Sequence, residues 1–287
     1  MDNYRQAALN RLANPAQISA DTITRPAWGL WDVVLGLAAF ILVPLGGGVL
    51  IQLVRGGGGL TPPLVLASLA LVWITILAVC LLVSKRRGYG SLARDFGLRF
   101  KWIDLAIGFA CGVAARLLVL LVLFLILLVW PPEDGQLLES NIGIFLTGDV
   151  LWIIVNAFIG GVVIAPLLEE LFFRGFILRA VQNAVWLGKA PNGGAAGSGP
   201  VRSATVRRPL RLATMTAVLA SAALFSIVHL GGVTSLQSTV LLLVSIFVMG
   251  IVCGTLTVLT GRLGSAIVTH MVFNGIAIVL ALVLQIA

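Results

Sequence analysis

The stretch PLLEELFFRGF, Pro166–Phe176, sets two adjacent carboxylates, Glu169 and Glu170, and an arginine, Arg174, inside an apolar run. Insertion scales put a charge at mid-bilayer at ~3 kcal/mol. Three such groups within six residues therefore call for a reason. The surrounding chain makes the setting a membrane. Of 287 residues, 59% are hydrophobic and 10% charged, and the mean hydropathy is +1.08. A soluble domain carries roughly 25% charged residues. The composition thus predicts an all-α, polytopic transmembrane helix bundle, in which helices pack against one another in lipid.

A crossing helix needs roughly 20 apolar residues. Working outward, the candidates are 27–53, 63–84, 103–130, 147–164 with possible continuation, 212–229, 236–260 and 263–286. That is about seven spans, or eight if Pro166 divides the fourth. The connection 85–101 carries Lys85, Arg86, Arg87, Arg94, Arg99 and Lys101 against Asp95. The stretch 174–211 holds seven bases and no acid, whereas 131–142 carries Glu133, Asp134 and Glu139 and no base. Basic loops stay in the cytoplasm, so the N-terminus is expected inside and the C-terminus outside. Residues 1–26 read as a cytoplasmic tail with a short amphipathic helix over 5–12. Residues 27–142 read as N-terminal transmembrane helices, and 143–287 as a C-terminal helix bundle. Within the last, GKAPNGGAAGSGPVRSAT, 188–205, has the composition of a flexible linker. The net charge of +8 follows from topology. No basic patch with interleaved aromatics points to nucleic acid. Cys80, Cys111 and Cys253 lie in apolar runs without ligand spacing and read as small core residues. The GxxxG pairs Gly108/Gly112 and Gly250/Gly254 read as close helix contacts. Arg116, inside the third span, either pairs with a carboxylate or snorkels.

On a helix, residues four apart share a face. Glu170 and Arg174 can therefore pair, while Glu169, turned about 100° away, stays free for another partner. Pro166 donates no backbone hydrogen bond and can kink the helix just before the acids. The only two histidines lie in or at the ends of predicted spans, in FSIVH, Phe225–His229, and HMVFN, His270–Asn274. The second places Asn274 on the face of His270. Taken singly, each element has a bland reading: a packing histidine, or a structural Glu–Arg clip. Together they supply a carboxylate, two imidazoles and a carboxamide from three helices. A carboxylate and a histidine can deprotonate a water; an imidazole and an amide can stabilise an oxyanion.

The ordered set EExxxR, FxxxH and HxxxN resembles the CPBP intramembrane proteases, which include the type II CAAX prenyl endopeptidase and relatives tied to bacteriocin processing and self-immunity. The resemblance covers about 150–287. It implies intramembrane hydrolysis of a peptide bond in a membrane-associated or lipidated protein. In that picture Glu169 and His229 activate water, His270 and Asn274 form the oxyanion site, and Glu170, Arg174 and Phe225 support them. It implies a central polar cavity in a multi-pass protein of a prokaryotic cell membrane. No cofactor is expected to be required. The alternative is a zinc held by Glu169, His229 and His270, although no HExxH helix is present. A non-catalytic immunity or scaffold protein is the competing function. A proton-relaying transporter is disfavoured by the lack of paired broken segments. Counting from Arg211 and Arg262 places His229 and His270 at different depths. A tilted helix, or a buried helix end at HLGGVTS, is needed to bring them together, in a cavity expected to be reached from the cytoplasmic side.

Overall fold

The computed structural model describes residues 28–132, 139, 141–187 and 203–286. The tail 1–26 and most of the linker lie outside the described residues; Ser203, Ala204 and Thr205, assigned to the linker from composition, are helical. Seven long helical elements follow in chain order: α1 (Leu30–Arg55), α2 (Pro62–Arg87), α3 (Ile103–Val129), α4 (residues 150–187), α5 (Ser203–Ile227), α6 (Leu236–Thr260) and α7 (Gly264–Ile286). No strand occurs among the described residues. Six of these elements are long and apolar enough to cross a membrane, while the apolar part of α5, Leu212–Ile227, is shorter. Many large apolar side chains on α1 and α3 face outward, as lipid-facing helices require.

Local chemistry marks the ends. Thr61 precedes α2, whose first residues, Pro62 and Pro63, sit where a missing N–H costs nothing. Ser235 caps α6 by accepting the Ser238 N–H at 3.1 Å, and Gly261 closes it in the left-handed region at φ 69°.

At one end of the bundle, the basic connection is tied down by buried polar contacts. The Asp95 carboxylate accepts from Ser84 Oγ at 2.6 Å and from the Tyr89 N–H. Asp104 accepts from Arg262 Nη2 at 2.6 Å and from Ser265 Oγ at 2.5 Å, which pins the start of α3 to the α6–α7 turn. Trp28 donates its indole N–H to the Phe176 carbonyl at 3.1 Å and packs edge-on against Phe96. At the opposite end Asn156 donates to the Pro62 carbonyl, and Gln237 to that of Trp130.

Glycines set the closest helix approach. A Cβ on Gly108 would lie 2.4 Å from Val268 Cβ, and one on Gly112 would lie 2.8 Å from the Thr269 carbonyl oxygen. The α3–α7 contact therefore exists because both positions lack a side chain. Gly250 plays the same part between α5 and α6, where a Cβ would meet Ala222 Cβ at 2.9 Å.

The fourth element corrects two expectations. Pro166 does not divide it, and Arg174 and Arg179 are not loop residues, because helix continues to Leu187. The chain accommodates the proline by widening: residues Ile154–Ile164 are π-helical, and the Ala165 N–H bonds to the Gly160 carbonyl five residues back. A second π segment spans Leu171–Ile177.

Candidate active site

The π register produces the first functional contact. In an i→i−5 ladder the donor for the Gly161 carbonyl is residue 166, and Pro166 has no N–H. Ala165 is already committed to Gly160. Asn274 on α7 fills the gap, its Nδ2 donating to the Gly161 oxygen at 3.0 Å. The amide is thereby held with one N–H spent and the other available.

Glu170 and Arg174 are both fully buried and lie 3.0 Å apart. Arg174 also donates from Nη2 to the Gly250 carbonyl at 3.3 Å and stacks on the Phe225 ring at 4.3 Å. The Nη1 contact to Glu170 is an ion pair without hydrogen-bond alignment, and Glu170 Oε2 has no hydrogen-bond partner. The remaining oxygen, Oε1, also meets His270 Nδ1 at 3.0 Å. Glu170 thus links the arginine of its own helix to the histidine of α7.

Glu169 faces the other way, as its helical offset requires. Its Oε1 lies 3.8 Å from His229 Nε2 and its Oε2 lies 3.7 Å from His270 Nε2. The other nitrogen of His229, Nδ1, lies 2.7 Å from the Phe225 carbonyl. A carbonyl only accepts, so Nδ1 carries the hydrogen. A carboxylate paired with arginine also only accepts, so Nδ1 of His270 carries one too. In their neutral forms both imidazoles then present lone pairs on Nε2 toward the Glu169 carboxylate. The centre is a ring of acceptors, suited to a donor such as water. Phe225 holds the ring in place, with centroids 4.4 Å from His229 and 5.6 Å from His270.

Glu169, His229, His270 and Asn274 all line one cavity of about 380 Å³. A larger apolar groove of about 700 Å³, between α1 and α2, has no titratable lining and lies apart from this chemistry. The helix α5 stops at Ile227, and the residues after it, through Gly232, are non-helical, which lets His229 leave the line of the helix and join the cavity. Such backbone is tolerated where protein or a cavity covers it. Glu139, Asn141 and Ile142 line the cavity beside it. Glu139 accepts from the backbone N–H and hydroxyl of Thr234 and from the Ser235 N–H, while its own N–H donates to Ser238 Oγ. These donors hold the Glu139 carboxyl below the usual carboxylate range.

The cavity departs from expectation in one respect. Its lining beyond the four residues comes from the end carrying Glu139, Asn141 and Ile142, not from the basic end. Arg116 also differs. It neither pairs with a carboxylate nor snorkels; it donates from Nε and Nη2 to the Phe273 carbonyl and lies 3.5 Å over that residue's ring. Sequence reasoning missed Gly161 and Glu139 as parts of the site. The proline five residues after Gly161 was the only signal for the first, and nothing local marked the second.

No three His, Cys, Asp or Glu groups among the described residues form a ready metal cluster. The donor chemistry nevertheless suits a cation: two Nε2 lone pairs face one carboxylate, and each Nδ1–H is oriented by an acceptor, as in the outer shells of metal-ligating histidines.

Fold and site define an integral, multi-pass helical membrane protein with a buried carboxylate–imidazole centre. Residues 150–276 match the model of the Rce1-like family, type II CAAX prenyl endopeptidase Rce1-like. Through that segment the chain is similar to this protease family. No curated protein and no solved structure matches it.

Proposed function

We propose that the protein hydrolyses a peptide bond of a membrane-associated polypeptide within this cavity, using a water activated by Glu169 and His229. The supporting observation is the convergence of Glu169, His229, His270 and Asn274 from α4, α7 and the end of α5 on one cavity. A water between Glu169 and His229 Nε2 donates one hydrogen to each. Its oxygen attacks the scissile carbonyl carbon while its proton passes to Glu169. The carbonyl oxygen becomes an oxyanion at the site formed by the second Asn274 N–H and His270. His270 lies between Glu169 Oε2 at 3.7 Å and Glu170 Oε1 at 3.0 Å. Glu169 then returns its proton to the leaving nitrogen as the C–N bond breaks. The reaction requires no metal. If zinc binds, Glu169, His229 and His270 would hold it, and it would supply an acidified bound water.

The test compares membranes bearing the parent chain with those bearing Glu169→Gln or His229→Ala. New protein termini are expected with the parent and not with either variant, while both variants accumulate as folded protein. Function retained by both variants would establish the competing reading, an immunity or scaffold protein acting by binding.

A further inference from the structure

We infer that the cavity opens to the non-cytoplasmic face of the membrane, so that its substrate is a polypeptide segment exposed or anchored on that face. This rests on the proteolytic reading for the word substrate; the direction of opening stands on the structure and the charge pattern.

The direction is set by which residues line the cavity. From the catalytic groups the lining continues only one way: through Ser238 and Leu241 of α6 and Ala277 and Ile278 of α7 to Glu139 and Asn141. All of these lie toward the end where α6 begins and α7 finishes. In the other direction the cavity has a floor. Phe172, Phe173, Phe176 and Phe96 are fully buried, with rings in mutual contact, and Trp28 closes over Phe96. The Glu170–Arg174 pair lies buried above them. An aqueous path to the floor's far side would have to pass through this aromatic layer.

The charge pattern says which end is which. The floored end carries the connection 85–101, with six bases against Asp95, and also Arg179 and Arg262. At the open end the connections carry Glu139 and Asp149, and Arg55 is the one base beside them among the described residues; the sequence 133–138 adds Glu133 and Asp134 and no base. A bias of this size in short loops fixes the floored end in the cytoplasm. The site is thus closed to a tail that remains cytoplasmic, such as a prenylated C-terminus, and open to a segment that has been exported.

The experiment reads topology without reading cleavage. Cys80, Cys111 and Cys253 are replaced by alanine, and single cysteines are introduced as Asn141→Cys, Ser245→Cys or Lys101→Cys in the full chain. In intact cells a membrane-impermeant maleimide is expected to label Asn141→Cys, and a small impermeant methanethiosulfonate to reach Ser245→Cys in the cavity. Lys101→Cys is expected to react only after permeabilisation. Should the cysteine-free chain fail to fold, alkaline phosphatase fused after Ala287 of the natural chain gives the same answer. That enzyme needs disulfides formed outside the cytoplasm, and activity is expected. Labelling of Asn141→Cys only after permeabilisation, entry to Ser245→Cys from the Lys101 side alone, or an inactive phosphatase fusion overturns the inference. Adding Glu169→Gln leaves every one of these readouts unchanged, so a failure of the hydrolytic mechanism cannot be mistaken for a failure of the topology.

Discussion

The α3–α7 contact invites a quantitative test, Gly108→Ala. The added Cβ would sit 2.4 Å from Val268 Cβ and 3.0 Å from the Ser265 carbonyl oxygen, whereas ordinary contact begins at 3.4 Å. Neither neighbour is the end of a flexible chain, so the helices must part by about 1.0 Å at this level, the difference between 3.4 and 2.4 Å. Overpacking of this kind costs about 1–3 kcal/mol. The displacement also reaches the site, because Val268 lies two residues before His270 on the same element. A misplacement of about 1 Å can lower a rate on the order of 100-fold. Unfolding in detergent is followed with a thiol-reactive dye, since Cys80 and Cys253 are fully buried and free and react only on opening. The double variant Gly108→Ala, Val268→Gly moves the missing side chain to the other helix. It is expected to be more stable than the sum of its single variants by about 1 kcal/mol or more, beyond the ~0.5 kcal/mol scatter of independent sites. Additive losses, or a Gly108→Ala chain that unfolds like the parent, would refute the argument that glycine sets this spacing.

Three other outcomes follow. Asn274→Ala leaves the Gly161 carbonyl without its donor and removes an oxyanion contact; a stability loss of about 1–3 kcal/mol and a rate loss on the order of 100-fold or more are expected, the first by dye unfolding and the second by cleavage. The Glu139 clamp has a defined pH window: its carboxyl is held low, so its contribution is complete above the usual carboxylate range and is lost as pH falls through the lowered value. Hydrogen-exchange protection at the Thr234 and Ser235 amides should hold from pH 7 to 5, once intrinsic rates are removed, and drop in Glu139→Gln at pH 7. Finally, dialysis against a chelator should leave cleavage intact; complete loss, reversed by zinc, would mean that Glu169, His229 and His270 act as ligands.

The spans were legible because lipid demands long apolar runs, and α6 coincides with its expected limits at 236–260. The different facing of Glu169 and Glu170 was also legible, since a 100° offset on a helix sends neighbours apart. What stayed hidden is non-local. Asp104 and Arg262 are 158 positions apart, Asn274 and Gly161 113, and Glu139 and Thr234 95. No periodicity connects such pairs. The π register was invisible as well, because the same apolar residues suit an α-helix. Counting residues from the nearest base misplaced the cavity mouth, since α4 carries Arg174 and Arg179 inside the bundle and the non-helical backbone after α5 carries His229 inward.

The aromatic floor has an electrical consequence. Moving one elementary charge through a membrane potential is worth about 2.3 kcal/mol per 100 mV, and that potential falls across whatever layer excludes water. Here the excluding layer is the buried cluster of Phe96, Phe172, Phe173 and Phe176. On the hydrolysis and the opening proposed above, a proton taken up by Glu169 and handed to a leaving amine would arrive and depart through the same mouth. A catalytic cycle would then move no charge through the field, and its rate is expected to be indifferent to the voltage of the membrane that houses it.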